Sequence, residues 1–186
     1  MACYLLSKAQ QKTVLTCYTF NLAEVTSALK SAAETRCEVC VYADAGHTMM
    51  GSTLLQAEKL SDLQEAGVKV YLTSGISGSS GIQHSKTLLV DDYLIVGSTN
   101  WTTSSKQNEE MSVLVHLNPD GFDQFEKRFK RLNQRSSEFT RERAVRARDA
   151  RAARQELRGN SVPDIHRTAK RFSIARAKSR DALKLA

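Results

Sequence analysis

Between residues 84 and 100 the chain sets an imidazole, an ammonium, a carboxylate, a hydroxyl and an amide around two short apolar runs. Their order is His84-x-Lys86-x4-Asp91, then Gly97-Ser98-x-Asn100. Side chains alternate along a strand, so His84 and Lys86 are expected on one face and Ser85 on the other. An imidazole can act as nucleophile or base, and a fixed cation, a hydroxyl and an amide suit a tetrahedral oxyanion. A phosphodiester fits these roles. Neutral imidazole, with an unperturbed pKa of about 6.5, can attack phosphorus at physiological pH, while Lys86 and Asn100 offset charge on the non-bridging oxygens. No cluster of metal-ligating residues stands ready to do that work instead, so neither a metal nor another cofactor is expected.

The elements that must position these groups follow from hydrophobic period. "KTVLTCYTF" (12–20), "RCEVCVYAD" (36–44) and "VKVYLT" (68–73) read as strands. Between them, 21–35 carries Leu22, Val25, Leu29 and Ala32 at helical spacing after Asn21 as a cap, and 52–67 is a helix closed by Gly67. This β-α-β-α-β order predicts an α/β fold with a mixed, largely parallel sheet flanked by helices. "SGISGSSG" (74–81) is a mobile loop and not a phosphate-binding loop, because no Gly-Lys-Ser/Thr follows. Strands are expected over 84–91, 93–98 and 110–117. Phe122, Phe125, Phe129 and Leu132 then form an apolar helical stripe that docks on the sheet.

Charge divides the chain. Residues 1–120 hold 8 Lys+Arg against 12 Asp+Glu, net −4, and residues 121–186 hold 19 against 8, net +11. A basic segment of this kind either contacts phosphate on nucleic acid or an anionic membrane, or is a solvated helix, since Glu142, Asp149 and Glu156 interrupt the arginines. The organisation expected is a catalytic domain over 1–133 and an Arg-rich helical or disordered tail over 134–186, with a break from Gly159 to Pro163. The cysteines Cys3, Cys17, Cys37 and Cys40, with no signal-like segment, suggest free thiols in a reducing, intracellular compartment. Cys37 and Cys40 lie inside a strand with no second such pair, so buried thiols are favoured over zinc. No apolar run approaches the roughly 20 residues that cross a bilayer.

The signature His84-x-Lys86-x4-Asp91, followed by Gly97-Ser98-x-Asn100, resembles the HKD motif of the phospholipase D superfamily. "GSTNWT", Asn108-x-Glu110 ahead of an apolar strand and "NPDGFDQFEKRF" are similar to its single-motif members over about residues 8–133. The likeness is greatest to the mitochondrial cardiolipin hydrolase group, then to Nuc-type endonucleases. Five residues separate Asp91 from Gly97 where the family usually has six. The hydrolase group also carries a membrane anchor ahead of its first strand, whereas this chain starts almost directly at that strand, so membrane attachment is not carried over and the chain as it stands is expected to be soluble. A mitochondrial surface location rests on the resemblance alone.

The resemblance implies metal-independent hydrolysis through a phosphohistidine. His84, Lys86, Asp91 and Glu110 would be catalytic, with Lys86, Ser98 and Asn100 binding phosphate oxygens. Glu110 would orient His84 through its second ring nitrogen, and Asp91 would fix the strand end. The scheme needs two histidines, and none of His47, His116 and His166 begins a second H-x-K, so a twofold homodimer is implied. Phospholipase D-type hydrolysis of cardiolipin or a related phospholipid to phosphatidic acid is the first expectation. An endonuclease acting on single-stranded DNA or RNA is the second, and a catalytically silent nucleic-acid-binding scaffold the third. Trp101 suits packing or base stacking equally, and Tyr18 and Phe20 suit core or cleft wall.

Overall fold

A computed structural model describes residues 1–50, 54–78 and 80–159. Seven strands form one mixed sheet: β1 (Lys12–Cys17), β2 (Glu38–Asp44), β3 (Lys69–Thr73), β4 (Lys86–Val90), β5 (Tyr93–Gly97), β6 (Ser112–His116) and β7 (Ser137–Glu138). Their order across the sheet is β6-β5-β4-β1-β2-β3-β7. The helices are α1 (Ala2–Leu6), α2 (Ala23–Glu34), α3 (Ala45–Met50), α4 (Leu55–Glu65), α5 (Pro119–Gln134) and α6 (Arg141–Gly159), with a 3-10 turn at Ser104–Gln107.

The α/β class is as the sequence implies, but parallel pairing is confined to β1-β2-β3. A parallel neighbour needs a crossover, usually helical, and residues 74–85 supply no helix. The chain instead passes along the sheet end, and β4 starts there, running antiparallel to β1. β4, β5 and β6 continue as antiparallel neighbours. The β4–β5 hairpin turns on Asp91-Asp92, with Asp91 at φ 52°, a conformation that Asp tolerates better than most residues.

Strand alternation divides the core. Leu15, Val41, Val70 and Leu88 pack under Val25, Leu29, Leu60 and Leu63 of α2 and α4. Val14, Tyr42, Leu89 and Leu94 meet Phe129 and Leu132, with Phe122 and Phe125 beside them, so the expected stripe of α5 does dock on the sheet. α5 begins with Asn118 accepting from the Gly121 N–H at 2.8 Å and Pro119 in its first turn. Asn21 does not cap α2, because its side chain accepts from Thr103 N at 3.0 Å instead. Gly67, at φ 86°, closes α4 as expected.

The folded unit runs past residue 133. β7 pairs with β3, Phe139 and Ala144 are fully buried, and the first compact unit is Met1–Asp149. Of the second unit, Ala150–Ala186, the helix through Gly159 is described. The break expected ahead of Pro163 and the basic stretch after it lie outside the described residues. The described residues of 74–81, the segment expected as a mobile loop, make turn contacts with one another. Gly78 N donates to Gly75 O, and a Cβ on Gly75 would meet the Gly81 backbone at 2.6 Å. No helix among the described residues is long and apolar enough to cross a membrane.

Candidate active site

Register brings the signature together at one end of the sheet. Lys86 opens β4 opposite Gly97, the end of β5, and Gly97 in turn faces Ser112, the start of β6. The residues just outside those positions, His84, Ser98 and Glu110, are therefore delivered to the same sheet end. Gly97 permits this closeness: a Cβ there would lie 2.3 Å from Met111 O and 2.6 Å from Ser112 Cα.

Lys86 is only 6% exposed, and its ammonium donates to the carbonyl of His84 at 2.8 Å. It also lies 5.9 Å from the Tyr18 ring centre, a cation–π distance. Burial pushes the Lys86 pKa below its ordinary value, and the Glu110 carboxylate works in the opposite direction. An ammonium has three donors, and among the described residues only one of Lys86's is taken, so two remain for an anion. The His84 imidazole is exposed and tilted against the Tyr18 ring at 5.2 Å.

Glu110 is engaged elsewhere than expected. Ser98 Oγ donates to its Oε2, Asn108 Nδ2 donates to its Oε1 at 3.1 Å, and these bonds hold its carboxyl below the usual range. Among the described residues Glu110 makes no hydrogen bond to His84. Ser98 also accepts from Met111 N at 3.1 Å, which fixes its hydroxyl toward β6. Asn100 Oδ1 is buried and, among the described residues, without a hydrogen-bond partner, a state that favours an incoming donor. Asn100 lines a cavity of about 380 Å³ with Thr19, His47, Gln56 and Asn108.

Asp91 does not join this cluster. It lies five residues beyond Lys86, about 16 Å along the strand. Its carboxylate accepts from the backbone N–H groups of Gln10, Gln11 and Lys12 at 2.9–3.0 Å. The expectation of a catalytic Asp91 is thereby corrected to a residue that ties the hairpin turn to the entry of β1.

Two contributors escaped the sequence reading. Asp44, at the end of β2 and 1% exposed, accepts from Gln83 N and His47 N at 2.7 Å each, so one carboxylate pins the entry to His84 and the start of α3. An Asp closing an apolar strand was the available signal. The His47 ring centre lies 5.0 Å from that of Tyr18, and only tertiary placement brings it there. Beneath, Thr16 Oγ1 bonds Ser85 and Thr87, and Trp101 donates to Thr16 O at 3.1 Å. Trp101 is buried, which settles its role as packing. Cys17, Cys37 and Cys40 are buried free thiols.

Comparison with known proteins identifies the family and the fold. The family model described as "Cardiolipin synthase, PLD-like domain" matches residues 2–133. No curated protein is a significant sequence match. The fold is similar to that of Nuc from Salmonella typhimurium, a phospholipase D family member, with TM-score 0.66 and 18% identity over 74% of this chain and 88% of that one. NucT from Helicobacter pylori gives 0.64 and 19% over the same shares. Phosphatidylserine synthase from Haemophilus influenzae gives 0.57 and 16% over 83% of this chain and 42% of that one.

Proposed function

Because the chain belongs to the phospholipase D-like family, we propose that it hydrolyses phosphodiesters by nucleophilic catalysis from His84, without a metal ion. The observation that carries the reading is the exposed imidazole of His84 beside a buried Lys86 ammonium whose one hydrogen bond among the described residues is to the His84 carbonyl. Neutral His84 attacks phosphorus, a P–N bond forms, and the P–O bond to the leaving group breaks. Lys86 and Asn100 receive the charge on the non-bridging oxygens. The departing oxygen takes a proton from His84 of the partner subunit. That imidazole then accepts a proton from water, which attacks phosphorus, breaks the P–N bond and frees the first histidine.

A second copy supplies the second imidazole. Support for the pairing comes from β6, an edge strand beside the site whose five residues are all exposed, among them Val113, Leu114 and Val115, with Met111 78% exposed just before it. An uncovered apolar edge of this kind invites association. Cardiolipin, favoured by the sequence resemblance, and single-stranded nucleic acid present the same electrophile to His84.

The test is turnover of bis(4-nitrophenyl) phosphate in EDTA, with mass measured by light scattering. The wild type is expected to turn over as a dimer. His84→Ala is expected to lose about 10³-fold or more in rate with unchanged mass. An active His84→Ala protein, or strong inhibition by EDTA, overturns the mechanism, and a fully active monomer overturns the two-copy scheme.

A further inference from the structure

We infer that Tyr18 is a positioning residue for His84: its ring packs against the imidazole and fixes the direction of that ring, with His47 as the brace behind it. The inference rests on the reading of His84 as the nucleophile and adds the device that aims it.

An exposed histidine just ahead of a strand has two free side-chain torsions, so something must select the rotamer that faces phosphorus. Among the described residues the His84 ring makes no hydrogen bond, and Glu110, the carboxylate that the family resemblance implies for this task, is bonded to Ser98 and Asn108. What His84 does meet is Tyr18, with ring centres 5.2 Å apart and planes tilted by 56°. That separation lies within the roughly 4.5–7 Å at which aromatic rings attract. The same ring lies 5.9 Å from the Lys86 ammonium, so it borders both groups assigned to the phosphate.

The Tyr18 ring is itself held. His47 tilts against it with ring centres 5.0 Å apart, and the His47 N–H donates to Asp44, the carboxylate that also accepts from Gln83 N just before His84. Asp44 thereby sets the two histidine-bearing segments relative to each other, with the tyrosine ring in contact with both imidazoles. The backbone on either side of Tyr18 is pinned as well. Trp101 Nε1 donates to Thr16 O at 3.1 Å, Gln56 Nε2 to Tyr18 O at 3.3 Å, and Phe20 N to Gln56 Oε1 at 2.8 Å. The Tyr18 hydroxyl has no hydrogen bond among the described residues, and its side chain is only partly buried, so neither a polar anchor nor core filling accounts for an aromatic here. With three χ1 wells and two ring orientations open to an unsupported imidazole, roughly one state in six aims at phosphorus, which sets the scale of the effect.

Turnover of bis(4-nitrophenyl) phosphate is measured together with proton–carbon NMR spectra of the histidine-labelled full chain, in which the Tyr18 ring current displaces the His84 resonances, assigned by their loss in His84→Ala. Tyr18→Leu is expected to lower kcat about sixfold with KM within about twofold, and to move the His84 resonances while those of His116, at the other end of the sheet, stay in place. Tyr18→Phe keeps the ring and is expected to restore both readings. His47→Ala is expected to act in the same direction as Tyr18→Leu, and His47→Phe to restore the rate. Unchanged kcat or unmoved His84 resonances in Tyr18→Leu overturn the inference, as does an equal loss in Tyr18→Phe, which assigns the effect to the hydroxyl. A His47→Phe variant as slow as His47→Ala overturns the brace. If the His116 resonances move too in Tyr18→Leu, its fold is lost, and the His47 pair, which leaves Tyr18 in place, decides. Failure of the nucleophile reading shows separately: His84→Ala then keeps its turnover, while the displaced His84 resonances of the wild type still report the ring contact.

Discussion

Replacing Asp91 separates architecture from chemistry within the family signature. Its Oδ1 accepts from Gln11 N and Lys12 N at 2.9 Å and its Oδ2 from Gln10 N at 3.0 Å. Asp91→Asn preserves shape and tolerance of the positive φ, keeps one oxygen and turns the other into a donor that faces Gln10 N–H. Hydrogen bonds to a charged group contribute about 1.5–3 kcal/mol, less where water competes, so the expected loss is about 1–2 kcal/mol. Asp91→Ala loses all three bonds and meets the left-handed backbone with no side-chain compensation, which adds about 1 kcal/mol and brings the loss to about 3–4 kcal/mol. Urea denaturation reads both values as a lower midpoint at constant m. Turnover of the small diester is expected to stay within about threefold of wild type in the Asn variant, because about 16 Å of strand separates Asp91 from Lys86. A drop of more than about 100-fold in Asp91→Asn with an unchanged midpoint would refute the reasoning and return Asp91 to the chemistry.

Gly97→Ala is expected to cost about 1–3 kcal/mol, because the new methyl meets backbone atoms of Met111 and Ser112 as well as the Ser112 hydroxyl, and the backbone atoms cannot rotate out of the way. Turnover should fall further than stability does, as β6 carries Glu110 away from Ser98, and a variant normal in both denaturation and rate would show that the close approach is dispensable. For Lys86, burial lowers the pKa, and the charged form binds phosphate, so kcat/KM should fall as pH rises through a value below 10.5. Lys86→Arg, whose guanidinium stays charged, should move that alkaline limb out of range even as the rate drops; a limb left in place assigns it to another group. The same shift means that the unfolded chain binds more protons at Lys86 than the folded one, so this group's contribution makes stability rise with pH across that window.

What was legible in the sequence was what short-range periodicity encodes. The alternation of β1, β2 and β4, the 3.6-residue stripe of α5 and the tight spacing of the β4–β5 hairpin are each written within a dozen residues. What escaped depends on distant partners. Asn21 has the composition of a helix cap, yet Thr103, 82 residues away, takes its side chain. β7 is two residues long and carries no pattern; it exists because Phe139 is buried and its N–H reaches Val70 O. The share of parallel pairing was overestimated because nothing local in β4 records its direction. At the candidate site, the spacing singled out His84, Lys86, Ser98, Asn100 and Glu110, but Glu110's partners and Asp44's hydrogen bonds are fixed only where three strand ends converge.

The position of the site follows from the one place where the sheet changes sense. β1 has a parallel neighbour on one side and an antiparallel neighbour on the other, so the chain leaves β1 and enters β4 at the same end, and a crevice opens between them. Thr16, Ser85, Thr87 and the Trp101 indole satisfy one another at its floor, which leaves few polar groups there to compete for an anion. Lys86 is buried just above that floor with, among the described residues, no carboxylate in contact, and Glu110 acts on it through space. A buried cation so arranged is costly in the empty protein, as its lowered pKa records, and the cost is recovered when an anion arrives. On the proposed mechanism, attack by His84 would make that recovery largest where negative charge on the phosphoryl oxygens is greatest, so the ammonium held apart from any ion pair would stabilise the transition state more than the bound diester.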